Sequence, residues 1–315
     1  MKILGGFGKP QKRGRKASEP EATPVAGCAG KRPRMTFWHR ALGAPASIKL
    51  CVSVIAVLAL AAIFAPYVAP YDPDKTSILA RNAPPFWVTG GKAGYLLGTD
   101  QLGRDVLSRC IYALRVSVGI AMVGVIFGSV IGVSLGVLSG VLRGWTDRII
   151  MMVVDFQLSI PFLLIVLIGI AIFGTDIPVL IALVGVAYWE TYARLSRGQV
   201  LSVRDNAFVE AAVAMGATNW RIALRHILPN IASPIIVLLT LNFPTVLLLE
   251  SSLSFLGIGV QPPTASLGRM VGDGRNYMMS AWWLVISPAA FIVLVTLCVQ
   301  LVGDWLRDVI DVKLD

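Results

Sequence analysis

Runs of about twenty apolar residues decide what this chain can fold into, because that is the length a helix needs to cross roughly 30 Å of hydrocarbon. Within lipid every backbone N–H and C=O must be satisfied inside the segment, so each run is predicted to be a helix. Six runs are present: Leu50 to Ala69, Val116 to Val141, Ile149 to Phe173, Ile177 to beyond Trp189, Ile231 to about Leu249, and Trp282 to Gly303. The fourth is the least apolar, with about thirteen apolar residues before Glu190. The expectation is an all-α polytopic membrane protein with six transmembrane helices.

Composition supports this reading. Only 15% of the 315 residues are charged, 56% are hydrophobic and the mean hydropathy is +0.72, whereas an ordinary soluble domain is about one-quarter charged. A formal charge of +10 would suggest nucleic acid in a soluble protein. Here it has a topological explanation, since Lys and Arg collect on the cytoplasmic side of membrane proteins. With the N-terminus inside, twenty Lys and Arg fall on the inner side and seven on the outer, which predicts that both termini are cytoplasmic.

Residues 1–49 hold eleven Lys or Arg against two Glu and show no helical apolar period. Residues 1–46 are therefore expected to be a disordered basic cytoplasmic tail that touches anionic lipid and not nucleic acid. Residues 47–111 are assigned to the first transmembrane helix and an external loop, 112–303 to the main transmembrane domain, and 304–315 to a cytoplasmic C-terminal tail.

Enzyme chemistry is missing from the sequence. Gly90-Gly91-Lys92-Ala93 lacks the upstream glycine and the hydroxyl residue of a P-loop. His39 and His226 have no carboxylate or cysteine cluster around them, and Cys28, Cys51, Cys110 and Cys298 show no paired spacing. No Ser elbow of the G-x-S-x-G kind occurs. No catalytic, cofactor-binding or metal-binding residue is predicted.

Within the spans, Gly124, Gly128, Gly132, Gly136 and Gly140 recur every four residues. Small residues at that spacing let helix backbones approach closely, either inside this subunit or against a partner. Asp155 and Glu250 are intramembrane acids; a proton relay is the functional reading and a hydrogen-bonded structural role the stronger one. Pro161 and Pro244 are expected to kink their helices.

Residues 208–229 are too charged to cross a bilayer, since Glu210, Arg221, Arg225 and His226 would each cost roughly 3 kcal/mol or more at its centre. Gly216 is suited to end one helix and Thr218 to cap a second, and Pro229 is expected to close the second piece. Trp220, Leu224 and Ile227, four and three apart, form a predicted exposed apolar anchor, with Arg221 and Arg225 beside it to meet acidic groups.

Glu210-Ala211-Ala212, Gly216 and Leu228-Pro229 resemble the EAA motif of permease subunits of binding-protein-dependent ABC importers, although His226 stands where the general pattern has Ile. Leu97-Gly98-Thr99-Asp100 with Gly103-Arg104-Asp105, Leu253-Ser254-Phe255-Leu256-Gly257 with Gln261-Pro262-Pro263, and Gly303-Asp304-Trp305 look like the second permease subunit of dipeptide and oligopeptide importers. The resemblance runs from about residue 50 to the C-terminus.

It implies a type I importer fold in a bacterial inner membrane and a heterodimer with a second, homologous permease. It also implies two ABC ATPase subunits carrying ATP and Mg, and an extracytoplasmic substrate-binding protein. Glu210, Ala211, Ala212, Gly216, Trp220, Arg221, Leu224, Arg225, His226, Leu228 and Pro229 would form the ATPase-coupling segment. The implied cargo is dipeptides or short oligopeptides; relatives with the same motifs carry nickel or metal chelates, glutathione or peptide antibiotics. An ion-coupled secondary transporter or a non-transporting scaffold are the readings from other classes.

Overall fold

Apolar runs set where the helices lie, and caps, glycines and prolines set where they stop. The computed structural model describes residues 44–311; the predicted tail up to residue 43 and residues 312–315 lie outside the described residues. Helix α1 (Ala46–Ile63) is followed by the short α2 (Ala65–Val68), which has Pro66 in its first turn. Helix α3 (Val106–Leu142) begins ten residues earlier than the apolar run, because the Asp105 carboxylate accepts the Ser108 N–H at 2.8 Å and caps it. Arg143 and Gly144 take positive φ, 54° and 63°, and turn the chain into α4 (Gly144–Leu158).

The third predicted span is broken. Helices α4 and α5 (Phe162–Phe173) meet at 92°, since Pro161 has no N–H to donate and disfavours helix at the residue before it. The fourth is also divided, into α6 (Ile177–Val186) and α7 (Trp189–Arg204). After these come α8 (Ala207–Ala214), α9 (Asn219–Ile222), α10 (Leu228–Phe255), α11 (Leu267–Gly274) and α12 (Trp283–Asp311). Pro244 lies inside α10 without ending it.

Among the described residues, four helical stretches are long and apolar enough to cross a membrane: Ala46–Ile63, Val106–Leu142, Asn219–Phe255 and Trp283–Ile310. The bent pair α4–α5 makes a fifth if it is counted as one span. The sixth expected passage is the α6–α7 pair; α6 has only 10 residues, and α7 carries Glu190, Arg194, Arg197 and Arg204. The described residues form no strand, only an isolated bridge between Thr99 and Asp105.

Helix α3 is the central post, with α6, α7 and α10 against it. Its five in-register glycines face α6 and α7 throughout. A Cβ on Gly128 would lie 2.3 Å from the Gly185 carbonyl oxygen, one on Gly132 2.2 Å from that of Trp189, and one on Gly136 2.3 Å from that of Ala193. Gly124 and Gly140 face side chains instead, Val184 at 3.2 Å and Val200 at 2.6 Å from the would-be Cβ. The close approach is thus made within the subunit.

The loop ahead of α3 is fastened by charge. The Asp100 carboxylate accepts from Arg104 Nε at 2.7 Å, from an Arg109 nitrogen at 2.5 Å, and from the N–H groups of Leu102 and Arg104 at 2.9 Å. Trp283 Nε1 donates to the Thr99 carbonyl at 3.1 Å and ties the loop to the start of α12. Asp155 is exposed and pairs with Arg194 at 2.8 Å. Glu250 is buried and accepts from Ser254 Oγ at 2.8 Å. Cys51, Cys110 and Cys298 are buried and free.

Candidate coupling surface

The charged segment between the divided fourth passage and α10 folds as helix, turn, helix. Glu210 lies in the first turn of α8, where a carboxylate favours the positive helix end. Gly216 has φ +80°, a conformation that costs a Cβ-bearing residue about 1–2 kcal/mol. The Gly216 N–H donates to the Val213 carbonyl at 2.9 Å and the Ala217 N–H to the Ala212 carbonyl at 3.1 Å, the two bonds of a Schellman stop. Thr218 Oγ1 then accepts the Arg221 N–H at 3.4 Å and caps α9.

Pro229 does not close the second piece. Ala223–Ile227 forms a π-helical turn that leads from α9 directly into α10, with Pro229 in the first turn of α10. The wider turn accommodates a residue that cannot donate, and Asn230 Nδ2 donates to the His226 carbonyl at 2.6 Å. Asn219 through Phe255 is one helical rod of 37 residues, about 55 Å long at 1.5 Å per residue.

Two faces separate along the segment. Val209 of α8, with Ile222, Ala223 and Ile227, is buried in a cluster with Val141 of α3, Val200 of α7, and Ile231 and Ile235 of α10; Ala212 of α8 is buried as well. Ile227, expected in the exposed anchor, is 0% exposed: the π-turn rotates it onto the post formed by α3 and α7. Trp220 at 68% and Leu224 at 47% stay exposed, as do Phe208 and Val213 of α8 and Met215 at its C-terminal end. The sequence reading missed these three, and helical phase gives no clean signal for them, since Val213 stands four residues after the inward Val209.

Glu210, Ala211, Gly216, Arg221, Arg225 and Pro229 are exposed around this patch, His226 and Leu228 are half-buried, and Ala212 points inward. An apolar centre with a charged rim is the composition of a docking surface. Beneath it the base is braced. Arg197 Nε and Nη2 meet the two Asp147 carboxylate oxygens at 2.5 and 2.8 Å, and Ser139 Oγ donates to the same carboxylate at 2.5 Å. Arg204 donates to the Val141 carbonyl. No group of three or more His, Cys, Asp or Glu side chains could hold a metal among the described residues.

A membrane protein built of helices, with a charged helix–turn–helix segment that presents apolar side chains outside its spans, is the class that the fold defines. Comparison with known proteins places it further. Residues 132–315 match the model of the binding-protein-dependent transport system inner membrane component, and residues 50–85 that of the N-terminal TM domain of oligopeptide transport permease C. The dipeptide transport system permease protein DppC of Escherichia coli strain K12 is 42% identical over 283 residues, 90% of this chain and 94% of that protein. DppC of Haemophilus influenzae is 37% identical over 286 residues, 91% and 97% of the two chains.

Among solved structures, a chain of an inward-facing methionine ABC transporter, MetNI, superposes with a TM-score of 0.53 at 21% identity, covering 64% of this chain and 97% of that one. That likeness concerns the fold. The chain belongs to the family of inner membrane components of binding-protein-dependent transport systems. It is a multi-pass inner-membrane permease subunit of the ABC importer type and works with ATPase and substrate-binding partners; it is not itself an enzyme.

Proposed function

We propose that this permease forms half of the translocation path for dipeptides or short oligopeptides, in a heterodimer with a homologous permease. Two ABC ATPases carrying ATP and Mg would seat on the 208–229 segment, and a binding protein on the opposite side would deliver cargo. The termini and the segment lie in the cytoplasm on this reading. Its peptide cargo is supported by relatives that carry dipeptide transport in their names and align over nine-tenths of the chain.

One observation carries the coupling role: the surface bearing Trp220, Arg221 and Leu224 is continuous with the 37-residue rod Asn219–Phe255. A partner that displaces the exposed end must therefore move the membrane-spanning end, with no loop between them to absorb the motion. Glu210, Ala211, Ala212 and Gly216 shape the first half of the surface, and Arg225, His226, Leu228 and Pro229 carry it into the rod.

The test is co-purification followed by reconstitution. The chain should bring a second permease, two ATPases and a peptide-loaded binding protein, and proteoliposomes holding the set should accumulate dipeptide only with ATP. Full uptake by the chain without any ATPase would overturn the reading.

A further inference from the structure

Two broken helices meet at one polar junction. Helix α4 ends at Leu158 and turns by 92° into α5, and α6 stops at Val186 just ahead of α7. Gln157 fastens the breaks together: its Nε2 donates to the Val186 carbonyl at 2.8 Å and its Oε1 accepts from Trp189 Nε1 at 2.5 Å. Beside the junction opens a pocket of about 420 Å³, whose wall includes Leu158, Glu190, Thr191, Arg194 and Gln199. That volume falls in the ordinary range of small-molecule sites.

The junction lies toward the inner end of the fourth passage: α6 supplies ten apolar residues ahead of it, and the Lys and Arg that follow it, Arg194 first, are those counted on the inner side. Asp155 and Arg194 have side chains 68% and 58% exposed, and each charge facing lipid would cost roughly 3 kcal/mol or more. This face therefore turns toward water or polar protein. Interrupted membrane helices are tolerated where they are buried in protein or line a wet cavity, and secondary transporters bind cargo at such breaks.

Hydrogen-bonding capacity at the pocket is unfilled and of both kinds. Glu190 is 6% exposed, and the two side-chain donors to its carboxylate, Gln157 Nε2 and Thr191 Oγ1, both stand at a long 3.3 Å, with its own backbone N–H as a further donor. A carboxylate can accept about four bonds. None of the ion pairs among the described residues includes it. Arg194, one turn further on the same helix, gives one nitrogen to Asp155 and keeps N–H groups to spare. Spare acceptors and spare donors thus stand about 6 Å apart along the helix axis.

A short peptide carries the complement: an ammonium with three donors at one end and a carboxylate at the other, separated in an extended dipeptide by at most about 7 Å. We propose that the pocket at the α4–α5 and α6–α7 breaks is a station for zwitterionic short peptides on the path, with the ammonium on Glu190 and the carboxylate on Arg194. The proposal rests on the peptide-importer reading above and adds the residues that hold the cargo at the inner end of the path.

The test uses the assembled transporter. In proteoliposomes with loaded binding protein, Glu190→Gln and Arg194→Gln should each lower import of alanyl-alanine by about tenfold or more, as loss of a charge-assisted hydrogen bond implies, while all subunits still co-elute. A Thr191→Cys variant of the solubilised complex, free of binding protein, should react with a charged thiol reagent. Millimolar alanyl-alanine should protect it and N-acetyl-alanyl-alanine amide should not. Wild-type import retained in both variants, or equal protection by the doubly blocked peptide, overturns the station alone. A wild-type complex that imports no member of a di- and tripeptide panel overturns the peptide reading and the station with it.

Discussion

Arg197 grips Asp147 through two parallel N–H···O contacts, at 2.5 and 2.8 Å, across fifty positions of sequence. The pair joins the first turn of α4 to the middle of α7, and Ser139 of α3 closes the group at 2.5 Å. Three helices are thereby locked just beneath the surface formed by residues 208–229. Both side chains are largely covered, Arg197 at 33% and Asp147 at 20% exposure.

Asp147→Asn should therefore cost about 1.5–3 kcal/mol, the value of hydrogen bonds to a charged group, discounted toward the lower figure because Arg197 keeps contact with water. Arg197→Lys should lose part of that, since an ammonium cannot reproduce the two-pronged contact. Thermal unfolding of the purified complex in detergent measures both. An unchanged midpoint in Asp147→Asn would mean that the pair contributes nothing to the brace.

Substituting Gly132 should break the α3–α7 contact. A Cβ there would lie 2.2 Å from the Trp189 carbonyl oxygen and 2.6 Å from Tyr192 Cβ, so Gly132→Ala should cost about 1–3 kcal/mol through forced separation of the backbones. Gly132→Leu should abolish folding. Gly119, on the same helix, has nothing within 4 Å of its would-be Cβ. Gly119→Ala should leave the melting temperature unchanged or raise it slightly, because alanine favours helix by about 0.5–1 kcal/mol.

Gly216 tests the turn separately from the contact surface. Open space surrounds its would-be Cβ, so Gly216→Ala carries only the backbone cost of its φ of +80°, about 1–2 kcal/mol. Gly216→Asn should be milder, and Gly216→Pro, fixed near φ −65°, should abolish transport and substrate-stimulated ATP hydrolysis while the permease pair still assembles. Wild-type coupling in the proline variant would sink the assignment of this turn.

Trp220 and Ile227 should separate docking from folding. Trp220→Asp alters an exposed side chain and should leave stability within about 0.5 kcal/mol while ATPase retention falls sharply in pull-downs. Ile227→Ala empties a site with no exposure and should cost about 2–5 kcal/mol. A Trp220→Asp complex that keeps its ATPases and stimulated hydrolysis would remove Trp220 from the surface.

Much of this was legible in the chain itself. Apolar run length fixed the helical class, since lipid leaves the backbone no partners outside its own segment. The Gly216 stop and the Thr218 cap were readable because both act within five residues of themselves. The absence of a P-loop and the motif around Glu210 pointed to an energy source on another chain, and the family match agrees.

Packing decided the rest. The glycine stripe announced a close approach, but its partner, the α6–α7 pair, became visible only when residues 57 to 61 positions apart came together. Pro229 read as a stop, and only the π-turn at Ala223–Ile227 shows how a helix carries through it. That same turn withdrew Ile227 from the surface into the cluster of α3, α7 and α10. Gln157, Glu190 and Arg194 gave no motif at all, because their spacing reflects where two broken helices cross. Local hydrogen bonding is written in neighbouring residues; which faces meet is set by the shapes of whole helices, and those exist only after the chain has folded.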